Sequence, residues 1–368
     1  MSGAAPLSKA VKASGPPPVE GLGAGHPDGQ SSAPRWNSRR FVDAIFRVRE
    51  VGIVVVLVVF VAVATSVQPR FIDPQNIKFV FSNAIIYALL ALGETIVVLS
   101  RNVDLSVGSV LGLSAYLSSN LFSQVHNIPI VAVFLVGLAI GLACGAINGA
   151  IVAVARVPSL VVSLATLYIY RAIDVLIVGG GMVVASTLPA AFLAIPTSSL
   201  GPIPYLAIAV AGAVAVGAYI LASFRPGREL YAIGSNPDAA RLAGIPTGKR
   251  IFWSFVVSGG IAGLAGVLWA ATYGTIDSTA GLNYELTVVA AVVVGGVNIF
   301  GGSGTVIGAA LGALLLATIN QALYVLGISS FWDPAIDGGL IVLAISLDHW
   351  ITLRLTSALR KGAVQHAA

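Results

Sequence analysis

Few polar side chains interrupt the long apolar stretches of this chain, and any chemistry must reside in those few. Glu94 lies inside one stretch, Asn148 inside a second, and Arg171 and Asp174 three residues apart on a third. Residues 100–109 break the apolar pattern and gather Arg101, Asn102, Asp104, Ser106 and Ser109, and Asn298 lies in a second, glycine-rich break. Carboxylates, carboxamides and a guanidinium can bind the hydroxyls of a polar solute, neutralise one another or relay protons. Ionisable groups at membrane depth are functional candidates because burying one there unpaired is costly. Two readings of Asp104 stand. With Ser106 it can cap the following helix and pair with Arg101 three residues earlier, or it can line a half-helix break beside a solute path. Glu94 has the same two sides: pairing with Arg101 or staying protonated, against a place on the path. Arg171 and Asp174 are spaced to neutralise each other.

No catalytic constellation is present. The chain lacks GxSxG, HExxH and GxxxxGK[ST], and the nearest approach, GIPTGKR at 244–250, has the wrong glycine spacing and no Ser or Thr after Lys249. The lone cysteine, Cys144, excludes an intrachain disulfide, and four scattered histidines offer no metal cluster. No catalytic residue, metal or cofactor is expected, so any ATP that drives this protein binds to another chain. The basic residues form no stripe of the kind nucleic acid requires.

A second type of site is suggested by residues 225–250, RPGRELYAIGSNPDAARLAGIPTGKR. Asn236 can cap a helix that starts at Pro237, residues 238–242 favour helix, and Gly244 followed by Pro246 ends it. A short capped helix on a basic connection is shaped to dock in the groove of a partner protein, although an ordinary tether would explain the charges equally well.

The elements that must position these residues are membrane helices. Of 368 residues 57% are hydrophobic and 10% charged, against roughly 25% charged in average soluble chains. Apolar runs near 51–67, 79–99, 105–122, 128–155, 160–178, 205–224, 251–273, 286–299, 305–326 and 335–353 predict an all-α, polytopic integral membrane protein of about ten transmembrane helices. Arginines cluster before the first run, which places the N-terminus in the cytoplasm. An even count returns the C-terminus there, and 17 of the 20 Lys and Arg then fall on cytoplasmic segments. The organisation expected is a disordered basic cytoplasmic tail at 1–50, a permease domain at 51–353 and a cytoplasmic tail at 354–368. Asp277, Glu285, Asp333 and Asp337 then fall near the outer face, as a solvated rim or as contacts for a soluble partner or hydroxylated solute.

Glycines recur every fourth residue at 137, 141, 145 and 149 and again at 304, 308 and 312. Such stripes let two backbones approach closely, within one subunit or across a dimer seam. Residues 101–112 and 295–308 share a gapped pattern, a Val-Asp/Asn-hydrophobic step followed by a Gly/Ser-rich break. An old duplication or chance in a glycine-rich chain would both produce it.

On these motifs the sequence resembles the permease subunits of bacterial ABC importers for monosaccharides, the branch that includes the ribose, xylose, arabinose, galactose, rhamnose and autoinducer-two systems. Residues 101–109 match the family's RNIDLSVGS signature. Gly141, Gly145, Asn148, Gly149 and Pro158 match its G…GxxNG…P element, and Thr166, Leu167, Arg171, Gly179 and Gly180 its TL…R…GG element. Gly227, Arg228, Tyr231, Ala232, Gly234, Asn236, Ala239, Ala240, Gly244 and Ile245 match the cytoplasmic GRxxYAxGxNxxAAxxxGI loop, and residues 295–312 the GGxxxxGGxGxxxGxxxG element. The likeness covers about 51–348. Arg101 and Asn102 stand where the ribose-type pattern has Gly-Gly, which is closer to the rhamnose and autoinducer-two branch.

The resemblance implies a multi-pass protein of the bacterial cytoplasmic membrane, paired with a second permease chain as a homodimer or heterodimer. An ATP-binding subunit would dock on the loop through Arg228, Gly234, Asn236, Ala239, Ala240, Arg241 and Gly244, and a periplasmic solute-binding protein would deliver the sugar. Pathway candidates are Glu94, Asn102, Asp104, Ser106, Asn148, Arg171 and Asn298. The competing function is an ion-coupled secondary transporter of a small polar solute, for which Glu94, Arg171 and Asp174 are the available coupling residues.

Overall fold

A computed structural model describes residues 49–346. Residues 1–48 of the first expected tail, the second tail at 354–368 and the end of the tenth apolar run lie outside the described residues.

Twelve α-helices follow in order: α1 (Arg49–Val67), α2 (Pro74–Leu99), α3 (Val107–Gln124), α4 (Ile130–Ala153), α5 (Ser159–Val178), α6 (Ala190–Thr197), α7 (Tyr205–Ser223), α8 (Arg225–Ser235), α9 (Pro237–Leu242), α10 (Thr247–Tyr273), α11 (Tyr284–Val294) and α12 (Val306–Val325). Residues 333–346 are also helical. The only strands among the described residues are β1 (Ser199–Leu200) and β2 (Ile203–Pro204), a two-residue antiparallel ribbon after α6.

Seven helices, α1, α2, α4, α5, α7, α10 and α12, are long and apolar enough to cross a membrane. α3 is not, for a physical reason. Four of its five serines, Ser109, Ser114, Ser118 and Ser119, are buried inside the bundle, where Ser114 donates to the Gly263 carbonyl (2.7 Å) and Ser118 to the Ser114 carbonyl (2.6 Å). α11 is the main departure from the apolar runs. The expected span 286–299 stops as a helix at Val294, because Gly295 and Gly296 turn the chain, Gly296 with φ +83°. Eleven residues at about 1.5 Å each reach roughly half of a 30 Å hydrocarbon layer.

α2 and α10 are the inner staves. α2 packs on α12, α10, α11 and α7, and α10 on α4, α3 and α2. α1, α4, α5 and α7 lie outside and turn large apolar side chains outward, among them Val58, Leu135, Leu176 and Val216. The glycine stripe of α4 is an intrachain seam: a Cβ on Gly141 would stand 2.1 Å from the Gly259 carbonyl of α10. That approach replaces side-chain interdigitation by backbone contact, which lipid-embedded helices use because burying apolar side chains gains nothing there. Gly312 of α12 lies equally close to Ala291 of α11.

Candidate functional site

The first break is built on the end of α2. Ser100 and Arg101 turn the chain with backbone bonds to Val97 and Val98, and Arg101 adopts φ +70°. Asp104 is thereby folded back beneath α2, where its N–H donates to Glu94 Oε1 at 3.0 Å. Asp104 Oδ1 accepts from the Ser106 N–H (3.0 Å), the Ser106 hydroxyl (2.7 Å) and Asn148 Nδ2 (3.4 Å). Asn148 Nδ2 also reaches Ser106 Oγ at 2.8 Å, and its Oδ1 accepts from the Tyr170 hydroxyl at 3.2 Å. Glu94, Ser106 and Asn148 are 0% exposed and Asp104 1%. Buried irregular backbone survives only where protein groups satisfy it, and here Glu94 of α2 takes the Asp104 N–H and Ser159 of α5 the Val103 N–H (3.2 Å), while Asn148 of α4 braces the side chains. Glu94 Oε2 has no protein partner.

Four of the sequence candidates, Glu94, Asp104, Ser106 and Asn148, therefore meet in one network, and the other three do not join it. Asn102 turns back on Ser100, donating to its carbonyl at 2.9 Å. Asn298 Oδ1 accepts the Phe300 N–H at 2.8 Å within its own turn. Arg171 anchors the connection before α11 by donating to the Ala280 (2.7 Å) and Ser278 (3.2 Å) carbonyls, with Asp174 at 3.8 Å.

Two local expectations are corrected. Neither Asp104 nor Glu94 pairs with Arg101, whose left-handed backbone leaves its side chain exposed while both carboxylates take backbone and amide donors. Nor does either Asp104 or Ser106 cap α3: Ser106 occupies the N-cap position with its hydroxyl turned to Asp104 instead. Tyr170 was missed. Its position in the TL…R…GG stretch, one residue before Arg171, was the available signal.

The 225–250 connection is more ordered than a tether. α8 opens with Pro226 in its first turn and buries Leu230 and Ile233. Asn236 then caps α9, its Oδ1 accepting from the N–H groups of Asp238 (3.1 Å) and Ala239 (3.0 Å), and Gly244 closes it at φ +77°. Ala240 is buried, whereas Ala239, Arg241 and Gly244 are exposed, with Arg241 Nη1 3.3 Å from Asp238. Arg228 Nη1 donates to the Ser223 carbonyl at 2.7 Å. Glu229 ties the segment to the membrane helices, accepting from Arg250 Nε (2.5 Å) and Arg225 Nε (2.7 Å). These bonds, the one from Arg250 first, hold its carboxyl below the usual glutamate range. At the tip Leu242 is 91% exposed, an apolar residue that the helix and cap pattern did not single out.

Gly234, in the last turn of α8, joins this connection to both breaks. A Cβ there would lie 2.0 Å from the Leu99 carbonyl, where the first break begins, and 2.3 Å from the Gly302 nitrogen of the second. Gly302 itself donates to the Leu99 carbonyl at 3.1 Å, and the Tyr231 hydroxyl donates to the Gly304 carbonyl at 3.1 Å. Three segments far apart in sequence thus meet at one point.

Residues 76–345 match the family described as branched-chain amino acid transport system, permease component. The chain belongs to this permease family. Curated relatives of the permease include the autoinducer 2 import system permease protein LsrC of Enterobacter sp. (strain 638), 33% identical over 84% of this chain and 89% of that protein. Those of Photorhabdus luminescens (34%, 82% and 89%) and Escherichia coli (strain K12 / DH10B; 36%, 81% and 85%) match similarly. No solved structure matches the chain. The permease is thus a multi-pass protein of the bacterial cytoplasmic membrane.

Proposed function

We propose that the permease forms the translocation path of an ATP-driven ABC importer for a monosaccharide or related furanosyl solute, with autoinducer 2 as the first candidate. The carrying observation is the contact of Gly234 with both helix breaks. A partner that pushes on α9 would move the ends of α2 and α11 together, as coupling to a separate ATPase requires. Arg228, Gly234, Asn236, Ala239, Ala240, Arg241 and Gly244 belong to this coupling segment, and Leu242 joins them as its apolar tip.

In this reading α3, α11 continued by the glycine-rich turns after it, and the apolar run at 335–353 complete ten crossings, both termini are cytoplasmic, and the basic tails at 1–50 and 354–368 flank a 51–353 permease domain. Glu94, Asp104, Ser106 and Asn148 hold the shape of the first break, Asn102 and Asn298 its neighbouring turns, and Arg171 the outer loop. A periplasmic binding protein delivers solute to the outer face, and a second permease chain, identical or not, completes the path.

Reconstitution with the ATP-binding subunit and binding protein in proteoliposomes tests this. Uptake of autoinducer 2 or L-rhamnose should require internal ATP and ignore proton and sodium gradients. Gradient-driven uptake by the permease alone would establish the ion-coupled reading instead.

A further inference from the structure

At the end of the bundle opposite α8 and α9, a cavity of about 320 Å³ opens between α2, α10, α11 and α12. Its position follows from helix direction: Tyr273 is the last residue of α10, Tyr284 the first of α11, and Asn320 lies near the end of α12. Tyr87 and Asn83 face it from α2, and Asp333 from the helix at 333–346. The volume is at the low end of the roughly 300–1,000 Å³ of small-molecule sites, a size for one small solute.

The lining is hydroxylic, amidic and aromatic. The Tyr273 hydroxyl donates to Asn83 Oδ1 at 2.5 Å, Trp269 Nε1 donates to the Tyr284 hydroxyl at 3.0 Å, and Asn320 Nδ2 lies 3.4 Å from the Tyr87 hydroxyl. The Tyr87 and Tyr284 rings pack edge to face at 5.1 Å, which fixes their orientation. Two buried acceptors, Asn320 Oδ1 and Asp333 Oδ1, have no protein partner. A buried acceptor left without a donor costs free energy, so the cavity favours an occupant that donates hydrogen bonds. No Lys or Arg lines it, and Lys78 borders a neighbouring cavity instead. The carboxylate of a free amino acid would find no cation here, and would face Asp333.

We propose that this cavity is the permease's own solute site, taking a neutral, polyhydroxylated solute whose hydroxyls donate to Asn320 and Asp333 and whose C–H face rests on the tyrosine rings. It rests on the reading of the chain as a solute path, and deepens that reading by placing the contact residues. None of the seven pathway candidates chosen from sequence lines it.

The test exploits Cys144, which is the sole cysteine and is buried. Ser330→Cys, at the exposed rim, is introduced into the full chain in lipid nanodiscs and labelled with a membrane-impermeant maleimide. D-ribose or L-rhamnose at about 100 mM, well above the Kd expected of a weak transit site, should slow labelling at least ~3-fold. L-leucine at the same concentration should not. Asn320→Leu in the Ser330→Cys background should abolish the protection, whereas Asn320→Asp, which keeps an acceptor, should retain it. Equal protection by leucine, no protection by either sugar, or protection that survives Asn320→Leu would overturn the proposal. Labelling needs neither ATP nor a partner, so its outcome is independent of whether ATP drives uptake.

Discussion

The N–H of Gly302 donates to the carbonyl of Leu99 at 3.1 Å, joining the end of α2 to the turn that follows α11. Leu99 is the last residue before the first helix break and Gly302 sits inside the second. This bond makes the two breaks one unit, and Gly234 of α8 lies against it.

The smallest possible enlargement at that contact should therefore be felt. Gly234→Ala places a methyl group against backbone on both sides, and overpacking of this kind costs about 1–3 kcal/mol. We expect a lower Tm in detergent and at least a ~10-fold loss of ATP-driven uptake, with membrane insertion intact. Unchanged uptake would separate α8 from the breaks.

Leu242 should behave in the opposite way. Because it is 91% exposed, Leu242→Asp leaves Tm unchanged. It should nonetheless weaken co-purification of the ATP-binding subunit about 10-fold, since apolar anchors carry much of an interface's energy. Full retention of the partner would move docking away from the α9 tip.

The buried network predicts an asymmetry between two substitutions, one that keeps the polar group and one that removes it. Asp104→Asn can keep an oxygen facing Ser106 and should stay within about 1 kcal/mol of the parent. Asn148→Leu removes one hydrogen-bond partner from each of Ser106, Asp104 and Tyr170 at once, leaving Ser106 its bond to Asp104 and Tyr170 its bond to the Cys144 carbonyl, and should cost about 1–3 kcal/mol. Thermal melts of the purified permease distinguish the two, and equal losses would contradict the geometry.

Glu229 carries a pH signature. Its folded carboxyl titrates below the ordinary glutamate value of 4.5, chiefly through the Arg250 hydrogen bond. The unfolded chain then binds its proton at higher pH than the folded chain does. The stabilisation is complete above 4.5 and is lost as pH falls through the folded value. The Tm gap between wild type and Glu229→Gln should be constant from pH 7 to about 5.5 and close on further acidification. A gap that widens in acid would refute the assignment.

Much of this molecule was legible because lipid imposes simple demands. Apolar runs marked α2, α4, α5, α7, α10 and α12 to within a few residues, and Asn236, Pro237 and Gly244 marked α9 by capping chemistry. α8 was not anticipated, because proline and glycine usually punctuate helices, whereas here Pro226 occupies the first turn of one and Gly234 admits a close backbone. The pairing of Arg101 with a carboxylate failed for a related reason: spacing assumes helix, and φ +70° at Arg101 breaks it. The meeting of Leu99, Gly234 and Gly302, and of tyrosines from α2, α10 and α11, joins residues with no common spacing. Only the tertiary path brings them together.

α1 carries one further consequence. Its packing partner is α12, through Ala64 against Ala322, with Phe71 of the turn after α1 in the same cluster, and through a bond from the hydroxyl of Thr305, the N-cap of α12, to Glu50 at 2.7 Å. About 240 residues separate the two helices in the chain. At roughly 5–20 residues per second of synthesis, α1, the first helix among the described residues, waits on the order of 10–50 s for its neighbour. Its valine-covered surface, apolar on nearly every side, is what a lone helix needs to remain in the bilayer through that interval.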